Sequence, residues 1–484
     1  MINFQKYIFK TEITRLILVF IFALIIRLSF SFYFQQYYFG TYQFKYSDGI
    51  TYLDPIINFI EIGEYRGDLF LNDSKYFRPP IYPIFLGIIY LLTPLDLFDY
   101  IVAFIQCLIG AFSSIIVYYI FKNIFNDKKL SFFSSILFST YPFVILWTPV
   151  MYTETLQIFL ILSLIYFSTK NINSLLFLMY QGGLTGAIIL TKQYLGLILI
   201  IPLSIILFDT KFGFLSKIKN LSAIMLGLII VLSPWIARNY IQSDSIIVFF
   251  GKTSGLRNTL DDAIAFNHFA NKFDENTTPH MKTVVTSGIV KFTKHVDFLK
   301  RNENDIDAST SLAFLCGGSF QERRTPSSPQ RPIPYENCNQ EVIQKFNLLS
   351  KKFWQEVPLW EALETRRDAL WKVVSKTEIL NEELVFSNRK FMVYILFIFR
   401  IIILIFGFFG LIYLFNPRSE YKIEKKYLFA ILLCSLSFYI FFCLVLVSAE
   451  MRYLLTPDLL ISLFACIIPT ILLNKYLYLF KNQF

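Results

Sequence analysis

About ten apolar runs of near-membrane length constrain this chain more than any motif in it. A helix crosses a hydrocarbon layer in roughly 20 residues. Runs approaching that length fall at 14–34, 99–121, 130–148, 154–169, 175–191, 194–208, 219–238, 391–415, 427–447 and 454–473, the middle ones being the shortest. With 55% hydrophobic and 18% aromatic residues against 17% charged, the chain carries more apolar surface than a soluble core needs. The expected fold is an all-α polytopic membrane protein.

Lys and Arg near helix ends resist translocation, so their placement sets an orientation. With the N-terminus cytoplasmic, that side receives Lys6, Lys10 and Arg15, then Lys122, Lys128 and Lys129, then Lys170, Lys211, Lys217 and Lys219. Arg418, Lys422, Lys425, Lys426, Lys475 and Lys481 complete it, so both termini are cytoplasmic. The outward segments are 35–98, 149–153, 192–193, 239–390 and 448–453. The formal charge of +10 is mostly this asymmetry and implies no nucleic-acid partner. The first run contains Arg27 and precedes no small-residue cleavage site, so it is expected to remain as an anchor.

Three regions follow: residues 1–238, a seven-span module with first outward loop 35–98; residues 239–390, an extracytoplasmic insertion; and residues 391–484, a three-span module. No internal repeat is evident. Residues 56–62 and 81–92 are too short or too interrupted by Pro to be spans, and are expected as interfacial helices. The insertion is expected to be mainly helical. Val342, Phe346, Leu349 and Phe353 recur at helical spacing, followed after Pro358 by Leu363, Leu370 and Val374, with Trp354, Trp360 and Trp371 nearby. Amphipathic helices on the outer interface and an ordinary soluble helical subdomain both fit that pattern.

Cys107, Cys434, Cys443 and Cys466 lie in spans, where a thiol acts as a small apolar group. Cys316 and Cys338 flank a Pro- and Arg-rich loop on the oxidising side, and either a disulfide or two free thiols fits. His268, His280 and His295 lack ligand spacing and read as surface residues, so no metal site is expected. No Walker motif, Gly-rich nucleotide loop or Asp-x-Asp motif occurs, which argues against a nucleotide-sugar enzyme or an ATP-driven pump.

The outward segments carry five short motifs. They are Tyr46-Ser47-Asp48-Gly49, Arg78-Pro79-Pro80-Ile81-Tyr82-Pro83, Thr153-Glu154-Thr155, Pro234-Trp235-Ile236-Ala237-Arg238-Asn239-Tyr240 and Arg452-Tyr453. In this order and on one face, they resemble the GT-C superfamily of glycosyltransferases that use polyprenyl-phosphate sugars. The protein-mannosyltransferase and lipid A aminoarabinose-transferase branch is the most similar. The resemblance covers the N-terminal half well and the insertion poorly.

Moving a sugar from a lipid phosphate to a hydroxyl requires a base for the nucleophile and positive charge for the departing phosphate. The resemblance implies that Asp48 is the base; an Asp here also suits the N-cap of a helix starting near Ile50. Arg78 stands where related aminoarabinose transferases have a Lys before the same Pro-Pro pair, and its planar fork suits phosphate oxygens. Snorkelling at the interface is the plainer role for such a residue. Lys192, Arg238 and Arg452 sit at outward helix ends, where basic residues are scarce, and are expected to join Arg78 around the donor phosphate. Favourable interaction with a helix C-terminus is a competing reason for Lys192 and Arg238. The resemblance implies that Glu154 orients the acceptor or helps hold a metal ion, although an acid in a first helical turn is also good helix chemistry. Tyr46, Tyr82 and Tyr453 are expected to line the substrate. Arg27 and Arg400 lie within spans and receive no role.

The expected function is inverting transfer of a sugar from a polyprenyl-phosphate donor to a hydroxyl of a glycolipid, lipopolysaccharide or protein on the outer face of the membrane. No cofactor is required, though some GT-C enzymes use a divalent cation. Richness in Ile, Phe, Lys, Asn and Tyr suggests an AT-rich bacterial genome, and the expected location is the bacterial inner membrane. A transporter or flippase of a lipid-linked glycan needs outward cations but no general base, and discontinuous helices in matching halves would support it. A glycan polymerase or ligase shares the chemistry and moves whole oligosaccharides.

Overall fold

A computed structural model describes residues 11–42, 44–45, 48–67, 78–170, 174–243, 265–266, 269–270, 272–273, 294–316, 338–365, 367–368, 390–421, 423–444 and 451–473. Every regular element among the described residues is helical. The N-terminal part contains α1 (Glu12–Phe39), α2 (Asp48–Ile62), α3 (Ile81–Leu92), α4 (Phe98–Phe125), α5 (Lys128–Thr140), α6 (Glu154–Ser168), α7 (Leu175–Ile189), α8 (Gln193–Leu207) and α9 (Phe214–Ser243). The insertion contributes α10 (Val296–Arg301), α11 (Glu303–Cys316) and α12 (Cys338–Glu356). The chain closes with α13 (Lys390–Phe415), α14 (Lys425–Leu444) and α15 (Arg452–Leu473).

Six of these, α1, α4, α9, α13, α14 and α15, are long and apolar enough to cross a membrane, which makes the chain a multi-pass membrane protein. Apolar helices α3, α6, α7 and α8 are shorter. The expected span 130–148 is broken. Helix α5 stops at Thr140, Tyr141 is extended, and Pro142 opens a single turn that ends at Ile145. Proline lacks an N–H and pushes the residue before it out of helical geometry, so this run cannot be one helix.

Local chemistry sets several helix ends. The Asp127 carboxylate accepts from the Lys129 and Leu130 amides at 2.8 and 3.1 Å and starts α5. Gly40, at φ 84°, ends α1 with its amide bonded to the Gln36 carbonyl.

Long-range polar contacts gather the basic segments at one end of the bundle. Lys122 pairs with Glu12 at 2.6 Å, Asn123 donates to Thr169 at 3.1 Å, and Tyr421 donates to Asp127 at 3.4 Å. Lys426 pairs with Asp209 at 2.6 Å, and Lys211 with Glu424 at 3.0 Å. The first turn of α6, the last of α9 and the first of α15 therefore lie at the other end.

Small residues let the helices approach closely. A Cβ on Gly182 of α7 would stand 1.9 Å from the Ile224 carbonyl oxygen of α9, and one on Gly227 of α9 would stand 1.9 Å from that of Met179. Gly407 and Gly410 of α13 lie against the α15 backbone in the same way. Both intramembrane arginines are buried. Arg27 donates to the Ala23 carbonyl at 3.1 Å, while Arg400 pairs with Asp458 at 2.7 Å with both side chains fully buried. Tyr439 donates to the second Asp458 oxygen, joining α13, α14 and α15.

In the insertion, Val342, Phe346, Leu349 and Phe353 bury against Phe266, Phe269, Phe273 and Phe298. Those side chains form a packed core among the insertion's described residues. Trp354 and Trp360 stay exposed on its surface. Leu370, Val374 and Trp371 lie outside the described residues, as do the side chains of Cys316 and Cys338 and hence their proposed disulfide. His268 and His280 also lie outside them. His295 departs from the surface reading, since its ring packs edge-on against Phe273 and Phe353.

Candidate active site

Helix α2 begins at Asp48. The Asp48 side chain and Tyr46 lie outside the described residues, but the neighbouring backbone places this helix start. A Cβ on Gly49 would lie 3.1 Å from the Met151 carbonyl oxygen. The Met151 amide donates to the Phe44 carbonyl at 2.9 Å. The start of α2 therefore rests on the stretch that leads into Glu154.

One turn after Asp48, Thr51 meets Arg78. The guanidinium donates to Thr51 Oγ1 through Nε at 2.9 Å and Nη2 at 2.6 Å, and to the Tyr52 hydroxyl at 3.1 Å. It also lies over the Tyr52 ring, 4.0 Å from the centroid. The Pro79-Pro80 pair leads straight into α3, whose Ile81 amide donates to the Leu190 carbonyl at the end of α7.

Tyr65 connects Arg78 to Arg238. Its hydroxyl donates to the Arg78 carbonyl at 2.9 Å, and its own carbonyl accepts from Arg238 Nη2 at 2.7 Å. Arg238 also donates to Asn239 at 2.8 Å and lies over the Trp235 and Tyr65 rings. Burial raises the Tyr65 phenol above its ordinary value, with the Arg238 and Arg78 charges pulling the other way, so it stays a neutral donor.

A second group forms around Glu154. Its carboxylate, 1% exposed, pairs with Lys192 at 2.6 Å. The Lys192 ammonium stands 5.5 Å from the centroids of both Tyr194 and Tyr453. Arg452 lies over Tyr152 at 5.5 Å and Tyr453 at 5.4 Å. One turn below, Gln157 of α6 donates to Thr456 of α15 at 2.9 Å, with both side chains buried, and this fixes the height of Arg452 relative to Glu154.

The expected residues thus fall into two connected groups, and two have different neighbours from those anticipated. Lys192 is engaged by Glu154. Tyr82, expected at a substrate surface, is fully buried: its hydroxyl donates to Gln106 at 3.1 Å and its ring stands edge-on to Tyr52. Thr51, Tyr52, Tyr65 and Gln106, which contact the expected residues, were not anticipated. Helical spacing from Asp48 points to Thr51; no local pattern points to Tyr65 or Gln106. Among the described residues, no three His, Cys, Asp or Glu side chains gather as metal ligands.

Residues 78–237 match the family model of dolichyl-phosphate-mannose-protein mannosyltransferases. That segment includes Arg78, Tyr82, Glu154 and Lys192, while Asp48, Arg238 and Arg452 fall outside it. No curated protein matches the chain in sequence. Among solved structures, the chain is similar to the Archaeoglobus fulgidus oligosaccharyltransferase tethered to an acceptor peptide containing the NVT sequon. Identity is 13%, coverage 96% of this chain and 50% of that one, and the TM-score 0.44. It is also similar to ArnT from Cupriavidus metallidurans bound to undecaprenyl phosphate, with 11% identity, 95% and 79% coverage and a TM-score of 0.40. The chain spans half the length of the archaeal enzyme.

Proposed function

We infer that this chain, whose residues 78–237 match the dolichyl-phosphate-mannose-protein mannosyltransferase family model, is a GT-C-type glycosyltransferase that transfers a sugar from a polyprenyl-phosphate donor to a hydroxyl with inversion at the anomeric carbon. The acceptor oxygen attacks the anomeric carbon and the Asp48 carboxylate takes its proton. The bond from that carbon to the phosphate oxygen breaks, and the polyprenyl phosphate leaves with the electron pair. Arg78 and Arg238 hold the negative charge that develops on it.

One observation carries this reading. Asp48 opens α2, and Thr51, one turn on, binds the Arg78 guanidinium through two hydrogen bonds. The acid that this chemistry requires therefore opens the helix to which the required cation is bonded. Tyr65 extends the arrangement to Arg238. Lys192, paired with Glu154, is less suited to the phosphate, and with Arg452 and Tyr453 it forms the wall on the α15 side. The site lies opposite the end where the basic segments meet, and the positive-inside tendency supports an outward-facing site. The acceptor is a hydroxyl-bearing glycan, lipid or protein presented there.

The test is sugar release from a panel of radiolabelled polyprenyl-phosphate sugars by protein reconstituted in vesicles, with the product anomer read by NMR. Consumption of one donor with the opposite anomeric configuration in the product is expected. Retention of configuration would remove the direct displacement. Release from no donor, together with protein-dependent movement of a lipid-linked glycan, would replace transfer with transport.

A further inference from the structure

From Thr148 to Thr153 the chain is buried although it is not helical, so its backbone needs partners. Gln106, about two turns into α4 and fully buried, supplies two of them. Its Nε2 donates to the Thr148 carbonyl at 3.0 Å and to the Val150 carbonyl at 2.9 Å. Its Oε1 accepts the Tyr82 hydroxyl at 3.1 Å. A glutamine amide has two donor hydrogens and a carbonyl oxygen, and this geometry uses both hydrogens and the oxygen. No other uncharged side chain of that length offers the same set.

These bonds connect three parts of the site. Tyr82 is the second residue of α3, four residues beyond Arg78. Thr148 and Val150 immediately precede Met151, on which Gly49 packs and whose amide bonds Phe44. Glu154 follows three residues after Met151 and opens α6. A shift of this stretch would therefore move Glu154 and the start of α2 relative to Arg78.

We propose that Gln106 is a positioning residue, which holds the Thr148–Val150 carbonyls and Tyr82 so that the acid-bearing segments and the Arg78 segment keep their reacting separation. The proposal rests on the transferase reading for its effect on turnover. Its structural half, that Gln106 orders this stretch, is independent of that reading. Gln106→Leu removes all three bonds at similar volume. Gln106→Glu keeps the shape but replaces the two donors with an acceptor facing two carbonyls. Gln181, a buried glutamine that accepts from Ser168 at the opposite end of the bundle, gives the control variant Gln181→Leu.

The experiment measures hydrogen exchange of the Met151 and Tyr152 amides in detergent-solubilised protein, together with kcat and KM for the donor that wild type consumes. Folded protein is counted by thermal unfolding. In both Gln106 variants the two amides should exchange at least about tenfold faster. Turnover per folded molecule should fall by about 10- to 100-fold, the loss typical of small misplacements, with donor KM changed much less. Gln181→Leu should lower the unfolding temperature and leave both readouts at wild-type values. Unchanged exchange in the Gln106 variants overturns the proposal, whether or not wild type acts on any donor. Faster exchange with wild-type kcat also overturns it, because the ordering would then have no bearing on the reaction.

Discussion

Glu154 and Lys192, separated by 38 residues, meet at 2.6 Å in a pocket where the carboxylate is 1% exposed and the ammonium side chain 12%. Removing one partner of a buried pair leaves a charge without its counterion and typically destabilises by about 3–5 kcal/mol. Glu154→Gln and Lys192→Met should each lower stability by that order. The double variant should recover most of it. Thermal unfolding of the four proteins in one detergent checks this, and additive losses in the double variant would show that the two side chains do not interact.

The glycine contact between α7 and α9 gives a second expectation. A methyl group at Gly182 would meet the Ile224 carbonyl at 1.9 Å, so Gly182→Ala must push the helices apart. Overpacking of this kind costs about 1–3 kcal/mol. Because α9 also carries Trp235 and Arg238, turnover should fall with stability. Gly213, where an added Cβ would meet no atom within 4 Å, provides the comparison, and Gly213→Ala should change neither. Equal unfolding temperatures for the two variants would contradict the close approach.

Much of this arrangement was legible in the sequence, and the parts that were not share a physical cause. Hydropathy located α4, α9 and α13 because each of them is apolar over a full membrane length. Positive charge located the end where Lys122, Lys211 and Lys426 make their pairs. Averaging along the chain passed over the break at Tyr141 and Pro142, since apolar residues continue on both sides of it. The backbone just past the break is bonded by Gln106, 42 residues before the Thr148 carbonyl it binds. Arg78, Glu154 and Lys192 stood out as candidates from motif and placement. Their partners did not, because the pairing of Glu154 with Lys192 and of Arg78 with Thr51 depends on how helices dock, which local pattern does not encode.

Arg400 and Asp458 form a second buried pair, with Tyr439 bonded to the same carboxylate. A charge within the hydrocarbon region that loses its partner costs about 2.5–3.5 kcal/mol or more. Asp458→Asn should therefore loosen the docking of α13, α14 and α15, seen as a lower unfolding temperature and easier proteolysis between α13 and α14. Arg400→Leu combined with Asp458→Leu should be closer to wild type than either single change. Wild-type unfolding in Asp458→Asn would show that the pair contributes nothing.

The insertion carries a pH-dependent contribution. Lys294 hydrogen-bonds the Asp368 carboxylate and, against some burial, holds it below the usual carboxylate range, with Arg367 assisting. A carboxylate depressed in the folded state adds stability above its unfolded pKa of about 3.9 and loses it as pH falls through the lower folded value. The difference in unfolding temperature between wild type and Asp368→Asn should therefore be largest near neutral pH and shrink below about pH 4. A difference that stays constant from neutral to acid pH would rule out the linkage.

The central claim, that Asp48 is the base of a lipid-linked sugar transfer, is tested most directly by turnover of the preferred polyprenyl-phosphate sugar in wild type and Asp48→Asn at matched folded concentration. Removing a general base typically lowers the rate by about 10²- to 10⁴-fold. The account predicts a loss of at least about 100-fold with donor binding retained, because Arg78 and its Thr51 anchor are untouched. Turnover by Asp48→Asn at the wild-type rate would contradict it.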